Sequence, residues 1–342
     1  MARIVVVSFR LGGSDGVAIE AAKWIAALRS LGHRVSTVAG SGHADVVLEG
    51  LAITDTTAPA PHALARALDA DLVIVENMAS LPLNEPARTA LYDVLEGRQA
   101  LFRHHDLAWQ REAFAHLEGP RDRPGWHHVT INELSRRELH ARGIEATTIM
   151  NQFDCDPPRG ERRATRERLG VGGEPLVLLA TRALERKNIT GALELCRALG
   201  ATMWLLGPAE DGYGPRLDEL VRVSGIPVLR GLAPHSIHDA YAASDLVVMP
   251  STWEGFGNPV LESVTHRRPL ALNPYPVALE IRGFGFHFFD LDDVAAIKAY
   301  LSAPDETLLE ANLLVAREHF NLVSLPQRLN GLLSSIGIAP PH

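Results

Sequence analysis

The sequence is poor in cysteine: its 342 residues include only Cys155 and Cys196, which lie in neither a CxxC motif nor a Cys/His ligand pattern. This excludes a cysteine-based metal site and indicates a reducing, cytoplasmic location. No apolar run is long enough to cross a bilayer, and the start, MARIVVVSFRLGG, lacks the long apolar segment of a signal peptide. Peripheral contact with a membrane stays open.

An excess of positive charge is also lacking. The net charge is −8 and neither half of the chain is basic, so we expect no nucleic-acid partner and no polybasic membrane surface. The locally basic stretch Arg159–Arg168 is interpreted as a solvated helix face. A hydrophobic content of 46% is ordinary for a globular protein, and the length predicts two domains.

Short apolar runs alternate with helix-period segments along the whole chain. Continuous apolar strands that alternate with helices predict an α/β fold with parallel sheets covered on both faces. The predicted strands are IVVVSF, RVSTVAG, ADVVLEG, DLVIVEN, QALFRHH, HHVTIN and TTIM in the first half, and PLVLLA, TMWLLG, IPVLRG, DLVVMPS, RPLALN and FHFFD in the second. Residues 306–336 are predicted to form two helices.

The alternation weakens over Asn151–Gly173, a stretch rich in proline, glycine and charge that is interpreted as the crossing between two domains. We predict two Rossmann-like domains, residues 1–153 and 154–319, and a C-terminal helix in 320–342 that packs back toward the first. Two such halves leave a cleft at the carboxyl ends of their sheets, where α/β folds bind ligands.

The stretch STWEGFGNPVLE, Ser251–Glu262, follows the predicted strand DLVVMPS and leads into a helix. Asn258 suits the N-cap of that helix and Pro259 its first position. Unpaired amides and the helix dipole at such a start favour an anion such as a phosphate, and Gly255 and Gly257 let the backbone come close to it.

Both acids of this stretch also have a simpler interpretation. Glu262 could cap the helix, although a capping box places its acid at the third helical position, which is Leu261 when Asn258 is the cap. Glu254 could be a solvated turn acid.

These residues together resemble the E-x7-E motif of retaining GT-B glycosyltransferases of the family 4 type. The family's pattern is PS-x-x-EGFG-x-x-x-LE-A, and PSTWEGFGNPVLESV departs from it only at Ser263. The resemblance implies a GT-B fold with an N-terminal acceptor-binding domain and a C-terminal nucleotide-sugar-binding domain. It implies that Glu254 contacts hydroxyls of the donor sugar and that Glu262 holds the ribose, since a carboxylate accepts hydroxyl protons strongly.

The resemblance also implies roles for the residues between the two acids and for a second stretch. The backbone of Phe256, Gly257 and Asn258 contacts the sugar, and the amides of Val260 and Leu261 contact the diphosphate. The stretch LLATRALERKNITG resembles the family's GR-x4-K, which implies that Arg182 and Lys187 grip the leaving diphosphate, with Arg186 as an additional neighbour.

In the first half, two stretches follow predicted strands. SFRLGGSDGVAIEAAKW places Gly12, Gly13 and Gly16 in a flexible loop that is not a GxGxxG motif, so a dinucleotide site is not favoured. The resemblance implies instead that this loop approaches the diphosphate of the donor and the acceptor.

LFRHHDLAWQRE resembles the stretch in which the family often carries an HD pair. The resemblance implies that the backbone carbonyl of His105 lies near the reacting centre, and we assign Arg103, Asp106 and Trp109 to the acceptor pocket. His104 is interpreted as a packing residue. Two alternatives stay open, namely that Asp106 caps a surface helix and that Trp109 belongs to the core.

The triplets DCD and DLD are interpreted as chance, and we expect no required metal or cofactor, because cationic side chains can stabilise the leaving diphosphate. The function predicted from the resemblance is transfer of a hexose, glucose or mannose, from a UDP- or GDP-sugar, with retention through same-face attack. The acceptor is a hydroxyl of a small solute, a lipid-linked sugar or a glycan. A nucleotide-sugar epimerase of GT-B shape and a non-catalytic nucleotide-sugar-binding protein are the alternatives.

Overall fold

A computed structural model describes residues 1–13 and 15–338 of the chain, which divide into two compact units. Unit 1 comprises Met1–Asn151 and the segment that starts at Val323, and unit 2 comprises Gln152–Leu322. The chain therefore leaves unit 1 at Asn151 and returns to it near the C-terminus.

Unit 1 contains one sheet of seven parallel strands within its described residues, in the order β3-β2-β1-β4-β5-β6-β7. The strands are β1 (Arg3–Leu11), β2 (Arg34–Gly42), β3 (Val46–Val47), β4 (Leu72–Glu76), β5 (Ala100–His104), β6 (Trp126–Thr130) and β7 (Ala146–Thr148). The helices are α1 (Gly16–Ser30), α2 (Pro61–Ala67), α3 (Glu85–Leu95), α4 (Glu133–His140) and, at the end of the chain, α13 (Leu325–Ser335), which packs on α1.

The sheet of unit 1 forms because its central strands are apolar on both faces. Every residue of β4 and β5 is buried, as expected for parallel strands covered by helices on both sides. Helix α1 starts after Asp15, whose carboxylate accepts from the amide of Ala18, and it buries Trp24 and other apolar residues at helical spacing.

Unit 2 repeats this plan with a sheet of six parallel strands among residues 152–322, in the order β10-β9-β8-β11-β12-β13. The strands are β8 (Leu176–Leu179), β9 (Thr202–Leu205), β10 (Val228–Arg230), β11 (Leu246–Met249), β12 (Leu270–Leu272) and β13 (Phe289–Asp290). The helices are α5 (Arg162–Leu169), α6 (Ile189–Leu199), α7 (Gly214–Ser224), α8 (Ile237–Ala243), α9 (Asn258–Thr265), α10 (Pro276–Arg282), α11 (Val294–Ser302) and α12 (Glu306–His319).

Both sheets have the strand order of a doubly wound fold, with the switch point between β1 and β4 in unit 1 and between β8 and β11 in unit 2. Each of the predicted apolar runs contains a strand, and residues 306–336 contain α12 and α13. The predicted fold class, two Rossmann-like parallel sheets covered by helices, is confirmed. No helix among residues 1–13 and 15–338 combines the length and the apolar character that crossing a membrane requires.

The interpretation of Arg159–Arg168 as a solvated helix face is wrong in part. Helix α5 lies in this stretch, and Arg166 is buried on it. Arg162 and Arg166 both bind the carboxylate of Asp245, at 2.5 and 3.0 Å. Only part of the helix surface is solvated, because two arginines fix it to the loop before β11.

Candidate active site

Polar residues follow both strands at the switch point of unit 2. Lys187 ends the short 3-10 turn Glu185–Lys187 after β8, and Glu254 lies in the loop between β11 and α9. Because adjacent parallel strands end at the same edge of a sheet, the two side chains meet, and Lys187 Nζ donates a hydrogen bond to Glu254 Oε1. Arg186 Nη1 donates to Glu254 Oε2 at 2.6 Å. One carboxylate therefore lies between two cations.

The Glu254 side chain is buried, with the residue 6% exposed. Burial raises the pKa of its carboxyl, but Lys187 and Arg186 outweigh burial and hold the pKa below its ordinary value. The interpretation of Glu254 as a solvated turn acid is therefore wrong. A carboxylate has about four lone-pair sites, so Glu254 can accept sugar hydroxyls in addition to its two cationic partners.

Gly257 precedes α9 with a φ of 88°, a backbone conformation that favours glycine. A Cβ at this position would lie 2.3 Å from the hydroxyl of Tyr275, which donates to the backbone carbonyl of Phe256 at 3.0 Å. Glycine is therefore required here both for the positive φ and because a Cβ would collide with the Tyr275 hydroxyl. The helix begins at Asn258 with Gly257 as its N-cap, so the prediction of Asn258 as the N-cap is wrong by one residue.

The backbone amides at the start of α9 are less available to a ligand than the sequence predicts. The amide of Val260 donates to the carbonyl of Gly257 at 2.8 Å, and the side chains of Val260 and Leu261 are fully buried. In this structure the Val260 amide is therefore already paired within the chain, and its predicted contact with a diphosphate requires that bond to open.

Glu262 lies in the second turn of α9. The third helical position after the Gly257 cap is Val260, so the interpretation of Glu262 as a capping-box acid is wrong. The buried hydroxyl of Tyr241, on α8, donates to Glu262 Oε2 at 2.6 Å. This bond fixes one oxygen of the carboxylate and so orients the side chain.

Arg182 lies on the same edge of the sheet as Lys187 but has a different partner. Its Nη1 is 2.6 Å from Glu210 Oε2, and both side chains are roughly two-fifths exposed. The structure thus brings Lys187 and Glu254 together and holds Arg182 in a separate, solvated ion pair.

In unit 1, a fully buried carboxylate, Glu76, ends β4 beside the end of β5. Its Oε2 accepts from His105 Nε2 at 2.7 Å, and its Oε1 lies 3.3 Å from Arg103 Nη1. Burial raises the pKa of Glu76, but Arg103 and His105 outweigh it and lower the pKa. Arg103 also lies over the ring of Trp24 and within 3.7 Å of Glu20.

Arg103 is 0% exposed. Full burial leaves its side chain no surface for the predicted contact with an acceptor. Its contacts instead fix Glu76, and through Glu76 the imidazole of His105, because a paired carboxylate holds both of its partners in place.

The backbone around His105 is fixed by a neighbouring asparagine. Asn77 adopts a φ of 60°, which asparagine tolerates better than most residues, and its Oδ1 accepts from the amides of His105 and Asp106 at 2.9 and 3.1 Å. The next helical turn, Ala108–Gln110, has Leu107 as its N-cap, so the alternative that Asp106 caps a helix is wrong.

The remaining predicted residues of unit 1 follow the ends of β1 and β5 in the chain. Gly12 follows β1 with a φ of 71°, and a Cβ there would lie 2.7 Å from the Cβ of His43. Gly13 is exposed, and Gly16 is the first residue of α1. Trp109 is half-buried, and its indole nitrogen donates to Glu138 at 2.7 Å.

His104 is confirmed as a packing residue. It is buried, its ring stacks on that of His128, and the Nε2 of His104 and the Nδ1 of His128 are 2.9 Å apart. Burial is the main cause that holds the pKa of His104 well below its ordinary value, so this pair is neutral at physiological pH.

Sequence reasoning did not assign three residues that the structure places in these networks. Arg186, noted only as an extra neighbour of Lys187, pairs with Glu254, Glu76 pairs with His105, and Tyr241 pairs with Glu262. Glu76 carried a signal, since it is an acid at the end of an otherwise apolar run, DLVIVEN. The role of Tyr241 has no such signal, because aromatic residues are common on buried helix faces.

Among the residues that the structure describes, no three His, Cys, Asp or Glu side chains are grouped so that they could hold a metal ion. The DCD and DLD triplets have other contacts. Asp156 pairs with Arg317 at 2.5 Å and Asp290 with Arg282 at 2.8 Å.

Comparison with known proteins agrees with this geometry. Residues 175–297, which carry the Lys187–Glu254 pair and Glu262, match the family model described as glycosyl transferases group 1. The chain is 26% identical to the mannosylglucosylglycerate synthase of Petrotoga mobilis over 377 residues, 85% of this chain and 87% of that protein. It is 25% identical to the mannosylglucosylglycerate synthase of Thermotoga maritima in an alignment 427 residues long, which covers 97% of this chain and 99% of that protein.

The fold is shared with solved structures. Anabaena Alr3699/HepE in complex with UDP and glucose superposes with a TM-score of 0.78 at 16% identity, covering 98% of this chain and 100% of that one. Sucrose-phosphate synthase from Thermosynechococcus elongatus superposes with a TM-score of 0.76 at 14% identity, covering 98% and 99%. The doubly wound sheets and these superpositions show a GT-B fold, and the matches of residues 175–297 and of the two synthases support a glycosyltransferase of the family 4 type.

Proposed function

We propose that this glycosyltransferase moves a hexosyl group, glucose or mannose, from a UDP- or GDP-hexose to a hydroxyl of a small glycoside of a hydroxy acid, with retention at the anomeric carbon. The observation that carries the proposal is the buried Glu254 carboxylate between Lys187 and Arg186, in the loop that leads into α9 and on the same motif as Glu262. The donor, retention and acceptor parts of the proposal rest on different supports.

The donor assignment is supported by the chemistry of the residues in line along the motif. Glu254 offers an ionised carboxylate to sugar hydroxyls, the start of α9 offers a positive dipole end to phosphates, and Glu262 offers a carboxylate to a ribose diol. Solved relatives of the same fold bind UDP or UDP-glucose. A nucleotide diphosphate sugar is the ligand class that needs these three groups in this order.

Catalysis in this proposal rests on stabilising the leaving diphosphate. Lys187, Arg186 and, after release from Glu210, Arg182 supply positive charge at the carboxyl edge of the sheet. Fixed cations aimed at developing charge lower the barrier without a metal ion, so we propose that transfer proceeds without one. The acceptor's proton passes to the leaving phosphate in a same-face attack, which accounts for retention without a protein nucleophile.

The acceptor assignment is supported by the two relatives that align over most of this chain and are named mannosylglucosylglycerate synthases. Their name describes a product in which mannose, glucose and glycerate are joined. In unit 1 the imidazole of His105, oriented by Glu76, offers a hydrogen-bonding group to a sugar. We assign the half-buried Trp109, which Glu138 and the Arg142 guanidinium 3.8 Å from its ring hold in place, to a wall of the same pocket. We assign the acceptor to this set together with Asp106, and we assign Gly12, Gly13 and Gly16 to the approach to the donor's diphosphate and the acceptor.

The test is a matrix of UDP-glucose, UDP-galactose, GDP-mannose and GDP-glucose against glucosylglycerate, glycerate and no acceptor, each with and without EDTA. We expect nucleotide diphosphate release that requires one hexose donor and glucosylglycerate, survives EDTA, and yields by NMR a linkage with the donor's own anomeric configuration. Donor conversion without acceptor would favour the epimerase alternative, and binding without turnover under all conditions would favour the non-catalytic one.

Replacing Lys187 by alanine is expected to lower kcat about 10²-fold, because one donor to the developing charge is lost, with a much smaller change in nucleotide affinity. Single-turnover kinetics and calorimetry with the nucleoside diphosphate separate the two effects. An unchanged kcat for Lys187→Ala would remove Lys187 from the stabilisation of the leaving group.

Glu262→Ala is expected to weaken nucleotide affinity about tenfold or more, since a charge-assisted pair with the ribose is lost. Tyr241→Phe should produce a smaller loss in the same direction, about three- to tenfold, because Glu262 keeps its charge but loses the bond that orients it. Calorimetric titration of the nucleoside diphosphate measures both. If Glu262 contacts the ribose, the wild type should lose as much affinity on changing to the 2′-deoxy nucleotide as it loses on the substitution Glu262→Ala. The Glu262→Ala variant should then bind the two nucleotides equally well. Additive losses would contradict contact with the ribose.

A further inference from the structure

Unit 2 contains a second cavity that the proposed reaction does not use. Its volume is about 860 Å³, within the range of small-molecule sites. Pro175, Asp245 and Pro269, which line it, directly precede β8, β11 and β12. The cavity therefore lies at the amino edge of the sheet, whereas Lys187 and Glu254 lie at the carboxyl edge.

Arginine dominates the polar lining of this cavity, with Arg162, Arg166, Arg267 and Arg268 around it. Arg162 and Arg166 are neutralised by Asp245 and hold the carbonyls at the end of α8 and before β8. Arg267 Nε is 3.3 Å from Glu310 Oε2. These three arginines thus have structural partners.

Arg268 differs from its neighbours. In the described part of the chain its guanidinium takes part in no hydrogen bond or ion pair, and its Nε is buried without a partner. Burial, with Arg162 nearby, lowers the pKa of Arg268. Arg268 is half-buried, so its guanidinium keeps donors that face the cavity, and an anion bound there would pair with it.

The acids of the cavity do not form an ion pair with Arg268, although Asp245 is close enough to raise its pKa against the effect of burial. Asp245 is shared by two arginines, and Glu310 contacts Arg267 and Arg317. The remaining acid, Glu306, opens α12 beside Thr307, whose hydroxyl donates to Asp305 Oδ1 at 2.6 Å and keeps its lone pairs for an incoming donor. A carboxylate and a hydroxyl there suit ligand hydroxyl groups, while Arg268 suits a phosphate.

We propose that this cavity binds a phosphate monoester of a small polyhydroxylated compound, with the phosphate on Arg268 and the hydroxyls toward Glu306 and Thr307. The site is separate from the donor site, since the two lie at opposite edges of the same sheet. Its occupancy is independent of the transferase proposal, because binding is measured without donor or acceptor.

The experiment is calorimetric titration of the full chain with glucose 6-phosphate, inorganic phosphate and glucose. We expect glucose 6-phosphate to bind, inorganic phosphate to bind more weakly, and glucose to give no heat. Arg268→Ala should raise the Kd for glucose 6-phosphate about tenfold or more, because a charge-assisted contact is lost. The matched control is Arg163→Ala on α5, whose side chain is 92% exposed and pairs only with Glu167 among its described contacts; its Kd should equal that of the wild type.

Lys187→Ala tests whether the phosphate enters the donor site instead. Retained binding in Lys187→Ala and lost binding in Arg268→Ala, with far-UV circular dichroism spectra of both variants like that of the wild type, supports the proposal. It is overturned if glucose 6-phosphate does not bind the wild type, if Arg268→Ala binds it equally well, or if Lys187→Ala abolishes binding. Equal affinities for inorganic phosphate and glucose 6-phosphate would remove the role of Glu306 and Thr307.

Discussion

Replacing Glu254 by glutamine is expected to lower turnover about 10³-fold and to destabilise unit 2 by about 3–5 kcal/mol. The substitution keeps the shape of the side chain and removes the charge that compensates Lys187 and Arg186. Lys187 is as buried as Glu254, so it would stay desolvated without a counter-ion. Steady-state kinetics and urea unfolding followed by far-UV circular dichroism measure the two losses.

A double-mutant cycle measures the interaction between Lys187 and Glu254 separately from the effect of each residue alone. Lys187→Met combined with Glu254→Gln removes both charges, and we expect the double variant to be more stable than Glu254→Gln alone by about 1–3 kcal/mol, while turnover stays low. Glu219→Gln on α7, which breaks a solvent-exposed pair with Arg222, is the matched control and should change neither quantity. Independent, additive effects of the two substitutions would show that Lys187 and Glu254 do not depend on each other.

The sequence predicted the fold well because the fold depends on local patterns. Apart from Glu76 at the end of β4, both β4 and β11 are continuous apolar runs, and a parallel sheet buries such strands whatever their neighbours are. The motif around Glu254 was equally local, since its glycines and acids lie within twelve consecutive residues, Ser251–Glu262. The prediction of Asn258 as the N-cap failed at this level. Gly257, in the left-handed conformation, is the N-cap instead, so α9 begins one residue earlier than predicted.

The partners of these residues were harder to predict because they are distant in the chain. Lys187 and Glu254 are 67 positions apart, and His105 and Glu76 are 29 apart. Which side chains meet depends on strand register and on side-chain direction, and a single sequence does not fix either. The burial of Arg103, the fourth residue of β5, is the clearest case, since arginine is rarely fully buried.

Replacing Arg103 by methionine is expected to destabilise unit 1 by about 3–5 kcal/mol at neutral pH, because the Glu76 carboxylate keeps its full burial and loses its main compensating charge. Methionine retains much of the volume and the contact with the ring of Trp24, so packing changes little. Urea unfolding at a series of pH values, followed by circular dichroism, measures the difference.

The contribution of Glu76 to stability should depend on pH with opposite signs in the wild type and in Arg103→Met. In the wild type the pKa of Glu76 is lowered on folding, so its contribution is complete above the ordinary glutamate pKa of about 4.3 and is lost as pH falls through the lowered value. In Arg103→Met the burial of Glu76 raises its pKa on folding instead. Stability is then lost as pH rises through that raised value, and the gap between the proteins should be larger at pH 8 than at pH 5.

Two variants separate this charge effect from a loss of packing. Arg3→Met removes an exposed pair with Asp69 and Asp71 in the same unit and should cost no more than about 1 kcal/mol at either pH. Arg103→Met combined with Glu76→Gln removes the uncompensated carboxylate and should recover part of the loss at pH 8 but little at pH 5. If the gap is the same at both pH values and the second substitution recovers nothing, the stabilisation comes from the stacking of Arg103 on Trp24, and Glu76 does not need the arginine to stay ionised beside His105.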